Sequence, residues 1–129
     1  MSEVESAPVL IVEDDESYRH ALEWLLQMGG YRSVSVGSAN EALNYLVTGT
    51  PPCLIVLDLM LPDISGDALL ATIRSDTTLA TIPVVVVTGQ SEPPALPGVY
   101  ATLMKGTAPD ALLGAVDAAC GRTASHGSD

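Results

Sequence analysis

Three short, uninterrupted apolar runs constrain the fold of this chain more than any other feature of its sequence. They are Val9–Val12, Leu54–Leu57 and Val84–Val87. Each run is rich in Val, Ile or Leu and is bounded by turn residues, a pattern typical of strands buried on both faces of a parallel sheet. The alternating segment Ser33–Val36 predicts an edge strand, and Tyr100–Met104 predicts a weaker fifth strand.

Amphipathic helical patterns fill the gaps between these strands. Apolar residues recur at the spacing of one helix face in four segments, namely Tyr18–Leu26, Ala39–Val47, Leu69–Ile73 and Ala108–Ala119. The sequence predicts helix caps at Ser38, Ser65 and Thr107. Alternating strands and helices favour an α/β, flavodoxin-like three-layer sandwich, with a five-stranded parallel sheet of order 2-1-3-4-5. Three prolines between Thr88 and Lys105 oppose a regular helix, so a fourth helix is expected to be shortened or missing there.

Length and composition indicate a single globular domain. The chain has 129 residues, of which 47% are hydrophobic, enough to bury a core without disulfides or a structural metal. We expect an N-terminal extension at 1–7, a folded domain at 8–121 and a disordered tail at 122–129. The first residues lack the pattern of a signal peptide, and no apolar run approaches the ~18–20 residues needed to cross a bilayer. These features favour a cytoplasmic protein.

The charge balance argues against nucleic-acid binding. Sixteen acidic residues against five basic ones give a formal charge of −11, and the chain has no Lys/Arg patch that could replace counterions on phosphates. Cys53 and Cys120 lack metal-ligand spacing and have no His nearby in the sequence, so both are expected to be small buried hydrophobic residues.

Polar side chains follow four of the predicted strands. Glu13–Asp15 follow the first, Asp58 the third and Thr88 the fourth, while the only lysine of the chain, Lys105, follows the fifth. Ligands of open α/β sheets bind at this edge. Any one of these acids alone could be a solvated strand cap, but several close carboxylates repel one another unless a hard cation such as Mg²⁺ is bound. A carboxylate, a hydroxyl and a lysine beside a metal favour attack on an activated phosphoryl donor, which gives an aspartyl phosphate.

Four stretches in this order resemble the signature regions of response regulator receiver domains. They are VLIVEDDES, LIVLDLMLPDISG, IPVVVVTG and LMK. The resemblance covers about Pro8 to Gly121, nearly the whole chain. It implies a stand-alone receiver of a two-component phosphorelay, which catalyses its own phosphorylation and dephosphorylation and is not an enzyme acting on a separate substrate.

The same resemblance implies a metal site. Asp58 would be the phosphoacceptor and a ligand of Mg²⁺. Asp14 would bind the ion directly and Glu13 through water, and the backbone carbonyl of Met60 would be the remaining protein ligand. Asp15 would lie outside the site, as an exposed acid at the start of a helix.

The resemblance also implies how the phosphoryl group is held. Thr88 would contact it and Lys105 would pair with its charge. Pro62 and Gly66 would shape the loop after the phosphoacceptor, and Gly89 would leave the site open to a bulky donor.

Two positions depart from the family pattern. Gly106 follows the lysine, where the family usually has proline, so the backbone that holds Lys105 is expected to differ. Thr102 stands three residues before the lysine, where a switch aromatic is usual. The phosphorylation residues are therefore retained, while the usual output residue is not.

The implied partners are a sensor histidine kinase or phosphotransfer protein and a downstream protein target, without nucleic acid or membrane. The sequence leaves open whether the chain also forms a weak homodimer. One alternative function is a pseudo-receiver that binds partners without phosphorylation. A more distant one is a phosphatase of the haloacid dehalogenase type, although that family has a second Asp two residues after its nucleophile, where this chain has Glu16 after Asp14.

Overall fold

The computed structural model describes residues 7–89, 96, 98–106 and 109–120. Five parallel strands form one sheet in the order β2-β1-β3-β4-β5, which confirms the predicted α/β topology. The strands are β1 (Val9–Val12), β2 (Ser33–Val36), β3 (Leu54–Asp58), β4 (Val84–Thr88) and β5 (Ala101–Met104).

Helices cover both faces of the sheet. Those in the described part of the chain are α1 (Glu16–Met28), α2 (Ala39–Thr48), α3 (Gly66–Ser75) and α4 (Pro109–Cys120), with a short 3-10 turn at Leu79–Thr81. Alternate residues of the central strands point to opposite faces. Leu10, Ile55 and Val86 therefore pack with residues of α2 and α3, whereas residues such as Ile11 and Val56 pack with α1 and α4.

The helix starts agree with the predicted caps. The side chains of Ser38 and Ser65 accept backbone N–H groups from the first turns of α2 and α3, as expected of N-cap residues. Asp15 caps α1 by accepting the N–H of Tyr18 at 3.2 Å, and its side chain is exposed. The predicted cap at Thr107 lies outside the described residues.

The connection from β4 to β5 contains no helix among its described residues, which are 89, 96 and 98–100. The rest of the proline-containing segment lies outside the described part of the chain, as do the predicted tail at 122–129 and all of the predicted N-terminal extension except Ala7. None of the described helices is long and apolar enough to cross a membrane.

The two cysteines correct one expectation. Cys53 and Cys120 are joined by a disulfide with a Cα–Cα distance of 5.3 Å. The prediction of two separate buried hydrophobic residues was wrong, because the fold brings the start of β3 against the end of α4 although 67 positions separate the cysteines in the sequence. Both residues are half-buried.

Strand register sets the positions of the polar residues at the carboxyl edge of the sheet. Val12 is opposite Leu57, so Glu13 and Asp58 follow directly at the ends of neighbouring strands. Asp58 is opposite Val87, which places Thr88 one residue beyond it on β4.

Candidate functional site

Three carboxylates meet at the ends of β1 and β3. Glu13, Asp14 and Asp58 each offer an oxygen, and these oxygens lie within 4.8 Å of one another. Glu13 and Asp58 are 1% and 3% exposed, whereas Asp14 faces solvent. Carboxylate oxygens on a partly open face are the ligand set that hard divalent cations prefer. The predicted acidic cluster is therefore assembled by the fold.

Glu13 lies at the buried side of this cluster. Its carboxylate accepts the backbone N–H of Asp15 at 3.0 Å and lies 3.1 Å from the ammonium nitrogen of Lys105. Burial raises the pKa of Glu13 and the charge of Asp58 raises it further, which outweighs the opposing effects of the Asp15 amide and Lys105. A cation in the cluster would relieve this unfavourable charge.

Lys105 reaches two of the carboxylates from the end of β5. Its Nζ atom lies 3.1 Å from Glu13 Oε1 and 3.5 Å from Asp58 Oδ2. Burial alone would lower the pKa of Lys105, but the hydrogen bond to Glu13 and the charges of Asp58 and Glu13 raise it overall. The side chain is therefore an ammonium group at neutral pH.

The end of β4 forms the next part of the site. Thr88 is fully buried, and its carbonyl accepts the backbone N–H of Lys105 at 2.8 Å, which ties the end of β5 to β4. Gly89 is exposed, and no atom of the described residues lies within 4 Å of the position that a Cβ would take. The access for a bulky donor that the family resemblance implied at Gly89 stays a prediction.

The loop after β3 packs tightly under the cluster. Asp58 Oδ1 accepts the backbone N–H of Met60 at 3.1 Å. A Cβ on Gly66 would lie 2.5 Å from the Cα of Leu59 and 2.8 Å from the carbonyl oxygen of Asp58. Only glycine allows α3 to start so close to the loop, in agreement with the predicted role of Gly66.

The model of the response regulator receiver domain family matches residues 9–117. This chain belongs to that family. As a member of a signalling family of two-component systems, it is a receiver domain by sequence as well as by fold.

Individual proteins support the assignment. The polar-differentiation response regulator DivK of Brucella ovis is 36% identical over 80 residues, which cover 62% of this chain and 64% of DivK. The chain thus spans less than two thirds of the length of this curated relative. A putative response regulator from Chloroflexus aurantiacus has a solved structure with a TM-score of 0.83 and 27% identity, covering 92% of this chain and all of that one. The Mn²⁺-bound form of response regulator Rcp1 has a TM-score of 0.72 and 25% identity, covering 87% of this chain and 90% of that one.

The receiver domain brings together most of the residues that the sequence singled out. Glu13, Asp14, Asp58 and Lys105 form one cluster, and the backbone of Thr88 is joined to that of Lys105. Thr102 and Tyr100 are exposed on or beside β5, and neither contacts this cluster through any described hydrogen bond, ion pair or ring contact.

Sequence reasoning missed Asp63. Its carboxylate accepts the backbone N–H groups of Ala39 and Asn40 at 3.0 and 2.9 Å, so the loop after the cluster caps the start of α2. These hydrogen bonds, led by the one from Asn40, lower the pKa of Asp63. No local pattern indicates this contact, because donor and acceptor are more than twenty positions apart.

Tyr18 was also missed as a site residue, since its spacing marked it only as part of the apolar face of α1. Its ring lies under Lys105, with Nζ 4.7 Å from the ring centroid. Burial raises the pKa of Tyr18, so the phenol is neutral at physiological pH. The available signal was its position in the first turn of α1, which starts at the same edge of the sheet as Glu13 and Asp14.

Proposed function

We propose that this receiver domain accepts a phosphoryl group on Asp58 from a phosphohistidine donor, with Mg²⁺ as the metal, and signals by protein–protein contact. The observation that carries the proposal is the position of the Lys105 ammonium, 3.5 Å from the buried carboxylate of Asp58 and beside two further acids. A cation fixed at a buried carboxylate suits the transfer of a negatively charged group.

The ligand set suits Mg²⁺. Asp14 and Asp58 would bind the ion directly and Glu13 through water, and the carbonyl of Met60 is the remaining proposed protein ligand. Response regulator Rcp1, a structural neighbour, was solved in a Mn²⁺-bound form, which supports the binding of a divalent ion by a protein of this fold. When bound, the ion supplies positive charge that neutralises the phosphoryl oxygens.

The proposed transfer needs no separate base. The nucleophile is a carboxylate oxygen of Asp58, which attacks phosphorus directly. The new P–O bond forms as the P–N bond to the donor imidazole breaks, and the electron pair of that bond leaves with the imidazole nitrogen. Lys105 balances charge on the transferred group, and the Thr88 hydroxyl donates a hydrogen bond to one of its oxygens. These residues orient and stabilise the group rather than moving protons.

The proposed partners follow from this chemistry. The donor is a sensor histidine kinase or a phosphotransfer protein, and the receptor of the signal is a downstream protein, with the exchange taking place in the cytoplasm. The proposed signalling unit is the segment 8–121. No basic patch suited to nucleic acid is present in the sequence, whose formal charge is −11.

Intact mass spectrometry tests the proposal. The protein is incubated with acetyl phosphate and Mg²⁺, and in parallel with acetyl phosphate and EDTA. We expect one added phosphoryl group with Mg²⁺ and none with EDTA or in Asp58→Asn. Asp15→Asn is the matched control, because asparagine retains the helix cap while removing a neighbouring acid. Equal labelling of Asp58→Asn and Asp15→Asn would overturn the choice of Asp58.

A further inference from the structure

We propose that Tyr18 is a positioning residue that holds the Lys105 ammonium beside Asp58 through the face of its ring. The inference rests on the proposed phosphorylation of Asp58 and adds a residue to that site. Nζ of Lys105 lies 4.7 Å from the ring centroid. This distance is within the ~6 Å at which a cation is attracted to an aromatic face.

The backbone around Lys105 does not by itself fix the position of its ammonium group. Its backbone N–H donates to the carbonyl of Thr88 at the end of β4. The residue that follows Lys105 is Gly106, with a φ of +91°. Among the described residues, no atom lies within 4 Å of the position of a Cβ at Gly106. A lysine side chain has four rotatable carbon bonds and a strongly hydrated head, so one strand hydrogen bond does not fix its ammonium group.

The two carboxylates alone do not centre the ammonium group on the phosphoacceptor. Nζ lies nearer to Glu13, at 3.1 Å, than to Asp58, at 3.5 Å. Both acids belong to the candidate metal cluster, so both would share their charge with a bound cation. The Tyr18 ring is a third attractive partner that carries no formal charge and offers no carboxylate to the metal.

The ring itself is held by the start of α1. The backbone N–H of Tyr18 donates to the cap carboxylate of Asp15 at 3.2 Å, and the ring is half-buried against the groove between α1 and α4. α1 is anchored in turn by buried Leu22 and Leu26. The aromatic face is therefore presented by a helix with a buried face, whereas Lys105 directly follows the edge strand β5.

The single lysine of the chain gives a direct measurement of this contact. In protein labelled with ¹³C-lysine, only Lys105 gives a CεH₂ signal in a ¹H–¹³C NMR spectrum. We expect a ring-current shift of this signal in the wild type and in Tyr18→Phe, and its loss in Tyr18→Leu. Trp24→Leu is the control, since Trp24 lies on the same helix but is 64% exposed, and it should leave the signal unchanged. An identical lysine signal in the wild type and Tyr18→Leu would overturn the contact.

Phosphorylation kinetics test whether the contact between Tyr18 and Lys105 speeds the phosphorylation of Asp58. With acetyl phosphate and saturating Mg²⁺, Tyr18→Leu should be labelled about fivefold more slowly than the wild type, and Tyr18→Phe at nearly the wild-type rate. In a Lys105→Met background, Tyr18→Leu should cause no further loss, because the contact is already absent. A loss of the same size in both backgrounds would mean that Tyr18 acts only through the stability of α1, and would overturn the positioning role.

The outcomes separate this inference from the proposed function. If the wild type takes no phosphoryl group, phosphorylation of Asp58 is refuted, while the lysine signal still decides whether Tyr18 holds Lys105. If the wild type is labelled and Tyr18→Leu is labelled equally fast, only the inference fails. Thermal unfolding checks each variant, and Tyr18→Met replaces Tyr18→Leu should the latter not fold.

Discussion

Asp14 and Asp15 are neighbours in the sequence, but their side chains make different contacts. Asp14 offers an oxygen to the cluster with Glu13 and Asp58, whereas Asp15 accepts the N–H of Tyr18 as the cap of α1. The boundary between strand and helix therefore separates a candidate metal ligand from a structural acid.

Mg²⁺ titration should resolve this difference. We expect Asp14→Ala to weaken Mg²⁺ binding at least about tenfold, since it removes a proposed direct ligand. Asp15→Ala should leave the affinity nearly unchanged and cost about 1 kcal/mol of unfolding free energy through the lost cap. Equal losses of affinity in the two variants would contradict the assigned register.

Glu13 gives a prediction of pH dependence for the metal-free protein. Burial raises its folded-state pKa above the ordinary value of 4.5, so the folded state binds this proton more tightly than the unfolded state. Its contribution to stability is then fully present below pH 4.5 and is lost as the pH rises through the raised pKa. In EDTA, urea unfolding across this range should show the wild type losing stability relative to Glu13→Gln. A wild type that gains stability relative to the variant over the same range would contradict the direction of the shift.

The polar residues at the carboxyl ends of the strands could be predicted from the sequence. A buried apolar run shows where a strand ends, and the carboxyl ends of parallel strands lie at the same edge of the sheet. It could not predict the contacts of Tyr18 or Asp63. Both depend on how a helix or loop docks on the sheet, which residue spacing alone does not define.

At the scale of elements, the start of α3 packs closely against the loop after β3. Gly66 brings the helix against the backbone of Leu59 and Asp58, and its N–H donates to the carbonyl of Leu59 at 2.9 Å. The loop that follows Asp58 is thereby held between β3 and α3.

Replacing this glycine should destabilise the protein. Gly66→Ala forces a Cβ to within 2.5 Å of the Leu59 Cα, so we expect a loss of about 1–3 kcal/mol in the free energy of unfolding. Gly114→Ala is the matched control, because Gly114 lies in α4 with no atom within 4 Å of a Cβ. Alanine there should stabilise the protein by about 0.4–1 kcal/mol. Urea denaturation measures both, and a neutral Gly66→Ala would mean that the approach of α3 is looser than described.

The caps at Ser38 and Ser65 were predictable, since each lies directly before an apolar helical pattern. The first residue of β5 was not: the strand begins at Ala101, one residue later than predicted. A half-buried edge strand has only a weak alternating pattern, so its end is set by pairing with β4.

At the scale of the molecule, the alternation of strands and helices and the edge-strand pattern of Ser33–Val36 predicted the sheet order, whereas the disulfide was not predicted. Cys53 and Cys120 lie on different elements, and their approach is a result of the finished fold. Cys53 precedes β3 while Asp58 ends it, so the bond lies at the opposite edge of the sheet from the site.

Removing the disulfide should therefore change stability more than chemistry. A bond that closes 67 positions of chain restricts the unfolded state, and its loss should cost about 2–4 kcal/mol. We expect reductant to lower the urea midpoint of the wild type but not of Cys53→Ser/Cys120→Ser, with both phosphorylated at similar rates. Two free thiols in the unreduced, denatured wild type would contradict the bond.

Identifying the phosphorylated residue tests the account most directly. Borohydride reduces an aspartyl phosphate to homoserine, so treatment after labelling with acetyl phosphate and Mg²⁺ leaves a permanent mark at the acceptor. Peptide mass mapping should find homoserine at position 58 alone, in the wild type and in Tyr18→Phe. Homoserine at position 14 or 15, or no homoserine in a protein that gained phosphoryl mass, would contradict the assignment of Asp58.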